Sequence, residues 1–251
     1  MSFLTLFEKS ELIGAHRGAR SIAPENTLKA LRLSQGRGDF IEIDVQLSRD
    51  KVPVLMHDET LQRTTNVAKI AVFRGRAPYN VCDFTYEELM MLECGEGEKV
   101  PTLEATLAFV KEKKLYLNIE LKDSSSSFDD EIFISLILAL VEKYQLHERI
   151  LFSSFRHEYL RLVKEKMPQI PTAALVENHH PHNLLTYLKE LGVVMYILNS
   201  ELADAQTVKM LRDNGFYIGV YTINNTQRRD ELFAMGVNAI FTDTLYKEDK
   251  S

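Results

Sequence analysis

The chain has 251 residues, 45% hydrophobic and 26% charged, the make-up of an ordinary globular protein with enough apolar side chains for a sizeable core. Its net charge of −6 argues against nucleic acid or an anionic membrane surface as main partner. The opening MSFLTLFEKSE lacks a basic leader, and the longest apolar segment, 132–141, is about half a bilayer span, so a cytoplasmic protein without stable membrane insertion is expected.

In chain order, 12–16 reads as a strand running into Ala15-His16-Arg17-Gly18, and 26–35 as a helix. The next strand, 39–46, carries Glu42 and Asp44 two residues apart. They share one face of the strand, while Ile41, Ile43 and Val45 share the other. Two ionised carboxylates so placed require a positive partner, or one of them stays protonated. The apolar run 52–57 then ends in His57-Asp58. Only about five residues separate it from the strand before, whereas a parallel crossover needs about a dozen, so it is expected to fold back antiparallel. Residues 52–100 thus read as a hairpin arm and cap inserted into a single domain spanning 1–251. Cys82 and Cys94 lack metal-ligand spacing and are expected as reduced thiols, with one disulfide as the alternative.

A helix from Thr102 leads into strand 115–121, which delivers Glu120 and Lys122, again two apart. The helix 131–144 is apolar almost all round at 132–141, and its excess suits burial in a homodimer. Strand 149–153, a helix over 157–167 stopped by Pro168, and strand 172–176 follow. Helical patterns then end at Gly192, Gly215 and Gly236, each followed by a strand: 193–199, 216–222 and 239–243. Asp204 and Thr226 stand where N-caps belong. Eight strands alternating with helices predict a closed parallel (β/α)8 barrel, with an open doubly wound sheet as the alternative. In a barrel, whatever follows a strand's carboxyl end lies on the catalytic face, so the arm and cap should overhang the mouth.

His16, Arg17, Glu42, Asp44, Glu120 and Lys122 then meet at neighbouring strand ends, with His57 above them. A salt bridge would account for Glu120 and Lys122, and backbone donors for Glu42 and Asp44. So many ionisable groups at adjacent ends make costly filler, which favours a site. Three oxygen-only ligands suit one hard divalent cation, Mg2+ or Ca2+. With Arg17 and Lys122, that ion leaves one net positive charge, matching a phosphodiester. Arg17 beside Gly18 suits phosphate oxygens, and His16 and His57 suit an acid–base pair, in either assignment. His179, His180 and His182 lack ligand spacing and read as loop and helix start; Ser124–Ser127 reads as a loop.

These residues resemble the glycerophosphodiester phosphodiesterase family. The matching stretches are AHRG (15–18), PENT (24–27), EIDVQLSRD (42–50), VLMHDETLQRTTN (54–66), VCDFTYEELMML (81–92), VPTLEATL (100–107) and LNIELK (117–122), with weaker matches at 150–155, 219–225 and 236–243. The resemblance implies a TIM barrel with an inserted cap and metal-dependent hydrolysis of glycerophosphodiesters to glycerol 3-phosphate and an alcohol. It implies His16 and His57 as the acid–base pair, Glu42, Asp44 and Glu120 as metal ligands, and Arg17 and Lys122 on the phosphate. In the family the substrate's own glycerol hydroxyl attacks phosphorus, and water opens the cyclic phosphate. Asp50-Lys51 departs from the family's Asp-Gly, which predicts another turn type. VAKIAVFRGRAP replaces a Gly-rich segment, and Thr244-Leu245 a proline-containing ending. Tyr221 stands where a Trp is frequent, keeping an aromatic wall for the glycerol. One alternative is a lysophospholipase D with an acyl groove at Val72, Phe73, Val81 and Phe84. A barrel that binds phosphodiesters without turnover is the remote one, since no proposed catalytic residue is missing.

Overall fold

The structure, a computed structural model, describes residues 2–245. Its strands are β1 (Leu12–Ala15), β2 (Phe40–Leu47), β3 (Pro53–Leu55), β4 (Leu117–Leu121), β5 (Ile150–Ser154), β6 (Thr172–Val176), β7 (Met195–Asn199), β8 (Tyr217–Tyr221) and β9 (Ala239–Thr242). Eight of them pair in parallel and close through β1 on β2, giving the (β/α)8 barrel. The doubly wound alternative is therefore excluded. β3 pairs antiparallel with the far end of β2, Val45 opposite Leu55 and Leu47 opposite Pro53.

Around the barrel lie α1 (Leu28–Leu33), α3 (Leu103–Lys113), α4 (Asp130–Tyr144), α5 (His157–Lys166), α6 (Leu184–Leu191), α7 (Ala205–Asp213) and α8 (Thr226–Met235); the short α2 (Tyr86–Met90) lies in the insertion. Thr27, Thr102, Asp129 and Asp204 each accept a first-turn backbone N–H, as short polar side chains at a helix start do. At α8 the cap is Asn225, whose side chain accepts from the Arg228 N–H, and Thr226 is the first helical residue rather than the cap. Gly192 and Gly236 close α6 and α8 in the left-handed conformation. α4 buries Phe133, Ile134, Ile137, Leu138 and Val141, and Leu136 and Leu140 pack partly against the same core. Its apolar excess, the reason for expecting a homodimer, is thus largely taken up within the chain, leaving Ile132 exposed. No helix among the described residues is long and apolar enough to cross a membrane.

The barrel interior is solid below its mouth. Leu12, Phe40, Leu151, Ala173, Met195 and Phe241 fill it, and Phe3, from a 3-10 turn at Phe3–Glu8, plugs the bottom against Phe40. There is no spare space: a Cβ at Gly14 would lie 2.5 Å from the Phe40 ring, and one at Gly219 2.6 Å from the Met195 Cε. Among the described residues no helix follows β9, and a cavity of about 320 Å³ lies beside Ile13, Ile240 and Arg229.

Residues 59–100 pack around an apolar cluster of their own with the arm, including Val54, Met56, Leu61, Phe73, Phe84 and Leu92. Phe73, Val81 and Phe84 are buried there and present no acyl groove, so of the four positions that the lysophospholipase alternative needs only Val72 is exposed. The arm's turn is not rebuilt around the missing glycine either. Lys51 itself adopts the left-handed conformation, with φ +63°. Cys82 and Cys94 are free thiols.

Candidate active site

Each strand end delivers one part of the site. After β1 the chain turns sharply, with Arg17 at φ +56° and Gly18 at φ +78°. A Cβ at Gly18 would sit 2.8 Å from the Ala30 carbonyl carbon, so α1 can approach only a glycine. This turn points the Arg17 backbone N–H at Glu42, 2.8 Å from Oε2. The Arg17 guanidinium donates to Glu25 Oε1 at 2.9 Å and lies 3.3 Å from Asp44 Oδ2.

The inward faces of β2 and β4 carry the carboxylates. Oxygens of Glu42, Asp44 and Glu120, all buried, lie within 4.8 Å of one another. Asn26, also at positive φ, holds Asp44 on two sides: its Nδ2 donates to Oδ2 at 2.8 Å, and its Oδ1 accepts the Asp44 N–H at 3.2 Å. Lys122 Nζ donates to Glu120 Oε1 at 2.7 Å and stands 3.7 Å from Asp44 Oδ1. Glu42 Oε1 and Asp44 Oδ1 are buried with no hydrogen-bond partner among the described residues. A buried set of oxygen donors with orphaned atoms fits a hard divalent cation.

The charges act on one another strongly. Burial, reinforced by Asp44 and Glu120, drives the Glu42 carboxyl well above the usual carboxylate range. Burial and Asp44 push Glu120 up to about 7. For Asp44, burial is outweighed by Lys122, His57 and Arg17, which hold it below its ordinary value. Lys122 is likewise raised, because Glu120 and Asp44 outweigh its burial.

The two histidines are built alike. His16 Nδ1 lies 2.7 Å from Asp243 Oδ1, and His57 Nδ1 lies 2.7 Å from Asp58 Oδ1. Burial lowers the His57 pKa, more than Asp44 and Asp58 restore it. For Asp243, burial is overcome by hydrogen bonds from His16 and Asn224, which hold its carboxyl at about 2. The two carboxylates belong to one chain of ion pairs. Arg20 bridges Asp243 and Glu25, at 3.4 and 3.0 Å, and Arg63 bridges Glu25 and Asp58, each at 2.6 Å.

A cavity of about 410 Å³ opens over this assembly, lined by His16, Arg17, Glu42, His57, Glu120, Lys122 and Tyr221. Every site residue expected from sequence therefore meets here, with Asp44 fully buried behind the lining. Tyr221 stands across from the carboxylates, its hydroxyl donating to the Val176 carbonyl at 2.8 Å and its ring edge-on to Phe155. His180 contacts the Tyr196 hydroxyl at 3.3 Å in the loop before α6, and Ser124 accepts backbone bonds in a turn. Sequence reasoning gave no role to Arg20, Glu25, Asn26, Asp58, Arg63 or Asp243. All of these but Arg20 sit inside the matched stretches 24–27, 54–66 and 236–243, which was the available signal.

Residues 16–247 match the Glycerophosphoryl diester phosphodiesterase family. The chain is 32% identical over 244 residues to a glycerophosphodiester phosphodiesterase of Bacillus altitudinis, covering 92% of this chain and 94% of that one. It is 31% identical over 242 residues to one from Caldanaerobacter subterraneus, covering 92% and 93%. An Oleispira antarctica phosphodiesterase solved in complex with the product sn-glycerol-3-phosphate superposes with a TM-score of 0.85 at 27% identity, over 96% of each chain.

Proposed function

The chain belongs to the glycerophosphoryl diester phosphodiesterase family and is an enzyme of that class, and from this we propose a specific reaction: hydrolysis of glycerophosphodiesters to glycerol 3-phosphate and an alcohol, with one divalent cation and two-histidine acid–base catalysis. The observation that carries it is the pairing of His16 and His57, each backed by a carboxylate, on one cavity whose floor holds three buried carboxylates.

Glu42, Asp44 and Glu120 would hold Mg2+ or Ca2+, which when bound supplies positive charge to the phosphate oxygens. Lys122 and Arg17 add fixed positive charge on either side of the carboxylates and orient the diester. In each histidine the Nδ1 faces its carboxylate, which selects the tautomer with the proton on Nδ1 and leaves Nε2 for the reaction. One histidine, neutral, takes the proton of the attacking glycerol hydroxyl on its Nε2, while the other, entering as the imidazolium, gives its Nε2 proton to the departing alcohol. A cyclic phosphate results, and water opens it with the two roles exchanged. Tyr221 walls the glycerol.

The test follows glycerol 3-phosphate release from glycerophosphocholine with Mg2+ or Ca2+ supplied. EDTA should abolish it, and His16→Ala or His57→Ala should lower kcat by about 10²–10⁴. Activity that persists in EDTA removes the cation from the reading, and variants within about threefold of the parent remove the acid–base pair.

A further inference from the structure

Two buried polar side chains in the catalytic cavity have no part in the chemistry above. Asn118 and Ser153 line it at 1% and 0% exposure, and neither Asn118 Oδ1 nor Ser153 Oγ finds a hydrogen-bond partner among the described residues. Leaving a buried polar atom unpaired is costly, and neighbouring inward positions of the barrel, such as Leu151, Ala173 and Leu175, are apolar. Strand register sets Asn118 beside Glu42 and Ser153 beside Glu120, on the inner faces of β4 and β5. These groups await a ligand that can both donate and accept.

The shape of the cavity says which part of the substrate reaches them. The cavity that Asn118 and Ser153 line also reaches Leu175, Ile197 and Phe241, buried members of the cluster that fills the barrel. Toward the arm and the loop after β4, a cavity of about 200 Å³ shares His57, Glu120, Lys122 and Phe155 with it, and neither Asn118 nor Ser153 lines that space. That space adjoins another of about 210 Å³ reaching Cys82 and Ser127, between the insertion and the loop after β4. The open side has room for alcohols of different size, and the closed side suits the part that every glycerophosphodiester shares.

We propose that Asn118 and Ser153 form the subsite for the terminal hydroxyl of the substrate's glycerol and so select an unacylated glycerol. The hydroxyl donates its proton to Asn118 Oδ1, and the Ser153 hydroxyl donates to its oxygen. An acyl ester at that oxygen has no proton to donate, and the closed floor leaves an acyl chain no path. This deepens the proposed function and rests on it.

The test compares kcat/KM on glycerophosphocholine with that on 2-hydroxypropyl phosphocholine, which lacks only the terminal hydroxyl. The parent should prefer glycerophosphocholine by about 10–100-fold, since a site built to bond a hydroxyl rejects the analogue without it. Asn118→Leu and Ser153→Ala should each lose about tenfold on the glycerol substrate and under about threefold on the analogue. Equal losses on both substrates, or a parent indifferent to the hydroxyl, overturn the subsite. So does turnover of 1-acyl lysophosphatidylcholine at the rate of glycerophosphocholine. Metal affinity, measured by calorimetric titration, should be unchanged in both variants; a matching drop places these side chains on the cation instead and also overturns it. Binding of glycerol 3-phosphate against 1,2-propanediol 1-phosphate reads the same preference without turnover. An inactive parent that keeps this preference sinks the proposed reaction and sustains the subsite.

Discussion

Glu25 is the residue on which both halves of the proposed acid–base pair converge. It binds Arg17, Arg20 and Arg63, and through the last two it is tied to Asp243 and Asp58, the carboxylates behind His16 and His57. Burial opposes its ionisation, yet Arg63, Arg17 and Arg20 hold its carboxyl below the usual range. Glu25→Gln keeps the shape but leaves three guanidinium groups short of a counter-charge. We expect kcat to fall about 10–100-fold, the usual cost of losing an outer partner of a working side chain. A change confined to KM would assign Glu25 to Arg17 and the phosphate alone. Asn26→Ala should leave the histidines intact and weaken cation binding about 10–100-fold, read by calorimetric titration, because Asp44 loses both restraints. The convergence of the three carboxylates was legible in sequence because alternation on a strand fixes which face a residue takes. Glu25 and Asn26 were marked only by the PENT match and their roles could not be read, because they lie on a loop whose direction depends on the Arg17–Gly18 turn. Asp243 reaches His16 across 227 positions, so local pattern could not pair them, and the weaker family match at 236–243 marked the residue without its partner.

At the level of elements, the antiparallel β3 was readable from arithmetic alone: its link to β2 is too short for any parallel crossover. What could not be read was how the turn is made. Ser48 and Val52 close it, with Lys51 in the left-handed conformation. A side chain there costs about 1 kcal/mol relative to glycine, since its Cβ crowds the following carbonyl. Lys51→Gly should therefore stabilise the protein by about 1 kcal/mol, seen as a higher urea midpoint at unchanged slope, with kcat unaltered. A lower midpoint would mean that the Lys51 side chain makes contacts outweighing its backbone strain. The arm matters beyond its length because Asp50 Oδ1 accepts the Tyr86 N–H, and the Arg49 N–H donates to the Phe84 carbonyl. These bonds fix the inserted segment to the end of β2. The same segment shows the limit of composition: Phe73, Val81 and Phe84 read equally well as groove or as core. Only packing decides, and it makes them core.

Over the whole molecule, the site is a source of instability held in place by the barrel. Three carboxylates share a buried space, and in the absence of a cation their mutual repulsion opposes folding. The pH dependence follows from Glu120, which burial and Asp44 raise to about 7 in the folded chain against an ordinary value of 4.5. A carboxyl raised on folding binds its proton more tightly in the native state. Native stability is therefore greatest below pH 4.5 as far as this group is concerned, and falls as pH rises from there through about 7. In EDTA at pH 8 the parent should lie on the unfavourable side of that titration. Glu120→Gln removes one of the three charges at nearly constant volume, so in EDTA it should melt at a higher temperature than the parent while losing activity. Adding Mg2+ or Ca2+ should reverse the order, because a ligand that binds only the folded state stabilises the protein able to hold it. The measurement is a pair of melting curves for each protein, with chelator and with cation. A variant less stable than the parent in both conditions would mean that Lys122 and Arg17 already neutralise the trio, and that Glu120 is kept for the barrel rather than for a cation.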